Sequence, residues 1–422
     1  MHEHHVRPGR NERPEFWRNG AVSAVEGGVT APKGFRASGV AAGIKRTSTK
    51  NDCALVVSDS AASVAGMFTT NVMKAPPVEW NVGVCAKGAA RAVFVNSGNA
   101  NAATGERGHR DARAMAEAVA GNVHASADEV CVCSTGVIGV PLPMDRVLDG
   151  ISRCAASLSV EGHGDAARAI MTTDTVPKEL AREVQLSAGT VRIGAMAKGS
   201  GMICPNMATM IAVLTTDASV EAPVLSGMLR DAVERSFNCI SVDNDMSTSD
   251  TVLCLANGAA GLPSIAAGSP DGAVFQAALA EVCRTLAKML VKDGEGATKL
   301  VEIAVSGAGS DAEARTLARS IGLSQLCKTA FFGEDPNWGR IVCAAGYAGV
   351  PFDPADVALW LEDVRLVSGG MPAAYREADA AAVMKRPEFR IRLEVGNGPG
   401  SAVFWCSDLS YDYVKINADY RT

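Results

Sequence analysis

Apolar positions in this chain fall in short runs separated by polar turns, and no run reaches the length of a membrane span. Residues 54–57, 65–69 and 92–95 are such runs and predict strands in a segment from residue 22 to about 105. Residues 96–101, small and polar, end the last of them with side chains that tolerate turn geometry. Residues 178–197 alternate like a hairpin that turns at 187–189. Residues 129–136 read as a strand, and 210–214 as a buried one. Helical patterning covers 111–120, which is Ala-rich, then 144–159, 164–171, about 222–235 and about 272–291. A strand at 300–305 opens a second unit. Near the end, 411–416 favours β structure and predicts a strand that pins the C-terminus. This gives a flexible arm (1–20), an N-terminal α/β domain (21–298) and a C-terminal α/β domain (299–422).

Composition narrows the role more than the fold. Lys and Arg number 40 against 46 Asp and Glu, for a net charge of −6. That balance argues against a nucleic-acid or membrane-surface partner. The first residues contain an acid and lack an apolar stretch, unlike a secretory signal or a transit peptide. The 12 Cys are scattered, and Cys131 and Cys133 would share one face of a strand. Their spacing suits neither zinc nor a redox pair and points to reduced, buried thiols in a cytoplasmic protein. His2, His4 and His5 read as part of the loose arm rather than as a metal site. The acids at 243, 245 and 250 lack the Gly and terminal Glu of an EF-hand. The Gly-rich stretches at 292–299 and 396–400 match neither a Walker A loop nor a dinucleotide fingerprint. No metal and no resident cofactor is expected.

The chemistry concentrates at 198–218, KGSGMICPNMATMIAVLTTDA. A Gly-rich segment and a Pro-Asn turn lead to Thr209 at the mouth of the predicted strand. A hydroxyl nucleophile needs a base, and His109, His124 and His163 lie in unpromising polar stretches. A Thr has another route: its own α-amine, once the preceding peptide bond is cut. A free α-amine titrates at about 7.7–8.0, close to where a general base works best. By residue type alone, the stretch is a Gly-Ser loop followed by a core strand. Likewise Thr135-Gly136 is a structural turn, with an oxyanion hole the sharper alternative. Lys198 is then a solvated charge and Glu295 an exposed turn carboxylate.

The 198–218 string closely resembles the self-cleavage segment of the ornithine acetyltransferase, or glutamate N-acetyltransferase, family of bifunctional arginine-biosynthesis proteins. VNSGNANAATG (95–105), STGVIG (134–139), SVDNDMSTSDT (241–251), KDGEGATK (292–299) and FFGEDPNWGR (331–340) resemble further strings of that family. The likeness runs from about residue 28 to 422. It implies an α/β fold of stacked β-sheets flanked by helices, a sandwich of the ornithine acetyltransferase or DmpA type, with a smaller C-terminal α/β domain. It implies self-cleavage between Ala208 and Thr209, giving an α chain (1–208) and a β chain (209–422) in an α2β2 heterotetramer.

Acetyl would pass from N-acetylornithine to glutamate by a ping-pong route through acetyl-Thr209, with acetyl-CoA a further possible donor. The resemblance makes Thr209 the nucleophile and Thr135 and Gly136 the oxyanion hole. Substrate contacts fall to Thr172 (Thr175 being the other choice), Lys198 for a carboxylate, Glu295 for the ornithine side-chain ammonium, Asn417 and Thr422. The strings 95–105 and 241–251 are framework, and 331–340 packs near the site. Two alternatives differ in outcome. A self-processing amidohydrolase or aminopeptidase of related fold would give its acyl group to water. A non-enzymatic metabolite-binding protein would never be cleaved.

Overall fold

A computed structural model of the chain describes residues 21–45, 49–204 and 210–419. The expectations for the arm 1–20 and for Ala208, Thr209 and Thr422 lie outside these residues. The described residues form sixteen strands: β1 (Val22–Val25), β2 (Phe35–Val40), β3 (Cys53–Phe68), β4 (Ala89–Asn99), β5 (Val130–Val137), β6 (Lys178–Leu186), β7 (Gly189–Lys198), β8 (Ile211–Thr216), β9 (Ile240–Ser241), β10 (Thr251–Ala256), β11 (Leu300–Gly307), β12 (Ala358–Leu361), β13 (Val364–Ser368), β14 (Met371–Pro372), β15 (Glu388–Glu394) and β16 (Gly398–Ser407). The helices are α1 (Pro76–Lys87), α2 (Gly105–Val123), α3 (Met144–Ala156), α4 (His163–Ala169), α5 (Ala222–Glu234), α6 (Pro270–Lys292), α7 (Asp311–Leu323), α8 (Gln325–Phe332), α9 (Trp338–Gly346), α10 (Glu377–Met384) and α11 (Tyr411–Asp419).

The strands make two sheets. One is nine-stranded, in the order β1-β6-β7-β8-β10-β3-β4-β5, with β2 added on β3. The other is seven-stranded, in the order β14-β13-β12-β15-β11-β16-β9. Strand β8 shows why the apolar run at its start is continuous rather than alternating. Ala212 and Leu214 face a core built with α5, α6 and strands of the second sheet. Ile211 and Val213 face a separate core that includes Ala166, Ala167 and Ala169 of α4. A strand covered on both faces has no polar side to show. Helix α6 starts at Ser269, whose hydroxyl accepts from Gly272 N–H, with Pro270 in the first turn. Phe275, Leu279, Val282, Leu286 and Leu290, spaced three and four apart, bury its inner stripe. No helix among the described residues is long and apolar enough to cross a membrane.

The hairpin expected at 178–197 is β6 and β7, closing at the Leu186–Gly189 pair with Gly189 at φ +147°. Cys131 and Cys133 lie together in one core, and none of the 12 cysteines is paired.

Two expectations are corrected. The strands expected at 54–57 and 65–69 are two ends of the single strand β3. Its register on β4 shifts between Val57 and Ala62. Before the shift β3 pairs with β2, and after it with β10, so one strand serves two neighbours at different ends. The strand expected at 411–416 is helix α11. Tyr411 and Val414 are 83% and 63% exposed, so no buried surface exploits their β preference. The Ser410 hydroxyl instead accepts from Tyr413 N–H and starts a helix.

The core shared by the two sheets predicts a stability cost. Leu286→Ala, at a fully buried position of α6, is expected to lower stability by about 2–5 kcal/mol. Urea unfolding should show a lower midpoint at unchanged slope.

Candidate active site

The site is assembled where β7 ends and β8 begins. Lys198, the last residue of β7, pairs in register with Ile211, the first of β8, so the two ends of the segment between them meet at one place on the sheet. The described part of that segment is pinned step by step. Gly199 N–H donates to Asp174 at 2.7 Å, and the Ser200 carbonyl accepts from Glu295 N–H at 2.8 Å. Met202 and Ile203 N–H both donate to the Asp243 carboxylate, at 2.5 and 2.7 Å. Burial pushes the Asp243 carboxyl up to about 6 even though these N–H groups favour its ionised form.

A cavity of about 230 Å³ opens beside this segment, and Thr135, Gly136, Thr172, Lys198, Glu295 and Asn417 all line it. They arrive from five places in the fold: the end of β5, the segment after α4, the end of β7, the turn after α6, and α11. Thr175 lines only the larger neighbouring cavity of about 920 Å³, which shares Thr172. Thr175 is engaged by the Asp293 carboxylate through both its N–H and its hydroxyl.

Two of these residues are not what their types alone suggest. Lys198 is 2% exposed and its ammonium donates to Thr135 Oγ1 at 3.4 Å. Burial pushes that ammonium below its ordinary value, opposed by Asp174 and assisted by Lys178. Glu295 is also buried, and its Oε2 accepts from Asn417 Nδ2 at 2.8 Å. Its carboxyl lies directly under Gly201, where a Cβ would come within 2.4 Å of it. Only a glycine leaves room for Glu295 there.

The frame behind the Thr-Gly pair comes from the 95–105 string. Ser134 Oγ donates to Asn96 Oδ1 at 2.6 Å, and Asn96 Nδ2 to the Asn99 carbonyl at 2.9 Å. Gly136 sits at φ +133°, and an added Cβ would be 2.4 Å from the Gly98 carbonyl carbon. The 331–340 string stays out of the cavity. Its Phe332 ring meets Tyr411 edge-on at 5.5 Å, and so braces the helix that carries Asn417.

Beneath the cavity runs a buried charge network. Lys178, with no side-chain exposure, donates to Asp174 Oδ1 at 2.7 Å and to Asp293 Oδ2 at 2.5 Å. Asp174 also accepts from Thr172 N–H at 2.9 Å. Burial alone would raise the Asp174 carboxyl. The cations of Lys198 and Lys178, with bonds from Lys178 and Gly199, outweigh it and hold the group at about 2. Sequence reasoning did not single out Asp174, Lys178 or Asp293 and treated Asp243 only as framework. Asp243 and Tyr413 also line the cavity. The clustering of acids at 243–250 was the visible signal for Asp243; Tyr413 carried none.

Lys198 and Glu295, side chains of opposite charge type, thus line one cavity with the Thr135–Gly136 pair. The model of the ArgJ family matches residues 36–422. The arginine biosynthesis bifunctional protein ArgJ of Symbiobacterium thermophilum is 52% identical over 399 residues, covering 94% of this chain and 99% of that one. Its counterpart in Geobacter sulfurreducens is 51% identical over 391 residues, with 92% and 99% covered. The chain belongs to the ArgJ family. A crystal structure of the Bacillus halodurans ArgJ protein aligns with 49% of this chain and 97% of its own, at 39% identity and a TM-score of 0.48.

Two outcomes follow from the buried network. Lys178→Met strands two buried carboxylates and is expected to cost about 3–5 kcal/mol, read by chemical denaturation. Asp174, depressed in the folded state, stabilises the fold fully above its unfolded pKa of about 3.9. That contribution is lost as pH falls from about 4 through about 2. Asp174→Asn should flatten this part of the stability–pH curve.

Proposed function

We propose that this protein is an acetyltransferase of arginine biosynthesis. It moves acetyl from N-acetylornithine to glutamate after cutting its own chain between Ala208 and Thr209. The observation that carries the reading is the meeting of six residues, drawn from five distant segments, on one cavity beside the start of β8. Membership of the ArgJ family supports it and favours transfer over hydrolysis.

In the first stage the Thr209 hydroxyl attacks the Ala208 carbonyl. An N→O acyl shift and hydrolysis then release the chains 1–208 and 209–422, which assemble as α2β2. In turnover the same hydroxyl attacks the acetyl carbonyl of N-acetylornithine, and the new α-amine takes its proton. Thr135 and Gly136 receive the developing oxyanion, with Lys198 behind the Thr135 hydroxyl. Ornithine leaves with the proton, and glutamate's amine attacks the acetyl-Thr209 ester in the second half. Lys198 holds a substrate carboxylate. Glu295, oriented by Asn417, takes the ornithine side-chain ammonium. Thr172 and Thr422 complete the contacts. The scheme exchanges one amide for a similar one and calls on no metal or resident cofactor. Acetyl-CoA is a second donor to the same Thr209, and the protein works in the cytoplasm.

Intact-mass spectrometry and an acetylornithine–glutamate exchange assay test this together. The wild type should give two chains that part at Ala208 and Thr209. Thr209→Ala should remain one chain, with exchange lowered by roughly 10⁴-fold or more. An active wild type that stays full-length would sink the proposal. Free acetate formed without an amine acceptor would favour the hydrolase instead.

A further inference from the structure

The scheme above makes one demand on the cavity that its named contacts do not meet. Ornithine and glutamate share an α-carboxylate, but one side chain ends in an ammonium and the other in a second carboxylate. Among the described residues that line the cavity, Lys198 is the one cation, while Glu295, Asp243 and Asp245 are acids. The ammonium suits Glu295. A side-chain carboxylate there would face like charge. With Lys198 on one carboxylate, the other needs neutral hydrogen-bond donors elsewhere in the cavity.

Most neutral donors of the lining are engaged or stand beside acids. Asn417 Nδ2 gives its two protons to Glu295 Oε2 at 2.8 Å and to the Tyr413 carbonyl at 3.0 Å. The Tyr413 hydroxyl bonds the Asp243 carboxyl. Thr172 is tied by its N–H to Asp174. Thr173 Oγ1 lies 2.6 Å from Ser200 Oγ, and the Ser200 carbonyl accepts from Glu295 N–H, so this hydroxyl pair sits on the Glu295 side. Thr135 is committed to the oxyanion.

The run Ser247-Thr248-Ser249 is different. It belongs to the 241–251 string, which the resemblance made framework, yet all three residues line the cavity. Ser249 N–H donates to Ser247 Oγ at 3.1 Å, and Thr248 Oγ1 and Ser249 Oγ are 3.4 Å apart. Three hydroxyls carry three O–H donors, and these contacts use at most one of them. No acceptor among the described residues takes the other two. The run is anchored away from Glu295. The Ser247 carbonyl accepts from Thr69 Oγ1 at 2.8 Å, and the Thr248 carbonyl from Ala75 N–H at 2.9 Å. Ala75 shares a small apolar cluster with Ala100 and Ile138, which line the same cavity.

We propose that Thr248 and Ser249, together with Ser247, form the subsite that receives the side-chain carboxylate of glutamate and so set the acceptor specificity of the second half-reaction. This deepens the acetyltransferase reading and rests on it. An ionised carboxylate is acceptor-only and offers two oxygens, which match two unused O–H donors. The ornithine ammonium, donor-only, goes to the Glu295 carboxylate instead. One cavity thereby takes two amino acids whose side chains end in opposite charges, because it has two poles.

Acceptor preference tests this. The readout is kcat/KM for glutamate divided by that for norvaline, which has a methyl where glutamate has its side-chain carboxylate, with N-acetylornithine as donor. The wild type should favour glutamate. The double variant Thr248→Val/Ser249→Ala should lower the ratio by at least about 10-fold, because hydrogen bonds to a charged group are lost for glutamate alone. Thr248→Ser, which keeps the hydroxyl, should retain the preference. A merely structural defect slows both acceptors alike and leaves the ratio where it was. A wild type without the preference, or a folded double variant with the wild-type ratio, overturns the proposal. Should the double variant not fold, a crystal structure of the wild type with glutamate decides. A side-chain carboxylate hydrogen-bonded to Thr248 or Ser249 supports the proposal, and one held elsewhere overturns it. A wild type that exchanges no acetyl defeats the functional reading itself. That outcome is distinct from failure of this subsite alone, in which exchange proceeds and the ratio does not move.

Discussion

Lys178 is the tie on which the site's geometry depends. It sits at the first position of β6, out of contact with water, between the carboxylates of Asp174 and Asp293. Asp174 carries the segment that presents Thr172 and also holds Gly199 of the Gly-rich segment. Asp293 stands two residues before Glu295 and gathers the backbone N–H groups of Thr175 and Val176. One ammonium therefore fixes three separate stretches of chain relative to one another. A buried ion pair is a poor source of net stability, since desolvation offsets most of the attraction. It is a strong source of specificity, because every other arrangement leaves a charge unpaired in a low dielectric.

The same tie sets the electrical character of the cavity. Asp243 and Asp245 line the cavity too, and the Lys198 and Glu295 side chains stand in it with opposite charge types. Neither is free to turn toward solvent. Glu295 is held by Asn417 Nδ2 and by its own N–H on Ser200, and Lys198 emerges from a strand buried on both sides. Charges fixed in advance inside a cavity need no reorganisation when a charged molecule arrives, which makes their effect larger than on an open surface.

The described ends of the segment between β7 and β8 are also held by acids. Asp243 takes two successive N–H groups as the segment departs, and Asp250 takes one as it returns at Met210. Both carboxyls are shifted upward by burial. The run SVDNDMSTSDT, a plain polar loop by composition, thus holds Met202, Ile203 and Met210 on the two sides of the segment between β7 and β8.

Local pattern was enough to place β8, α6 and the β6–β7 hairpin, because each is dictated by side-chain periodicity that neighbours in sequence share. The family resemblance pointed to Thr135, Gly136, Lys198, Glu295 and Asn417 as candidates. Their meeting on one cavity was beyond it, since the lining draws on residues up to 282 positions apart in the numbering, from Thr135 to Asn417. Burial of Lys198 and Glu295 likewise belongs to the tertiary structure, because residue type alone makes each a surface charge. The merging of two apolar runs into β3 and the helix at 411–419 were decided in the same way. Propensity differences are small beside the energy of pairing with β2 and β10 or of docking against Gly296 and Glu295. The sequence determined which groups take part, and packing determined where they stand and what charge they feel.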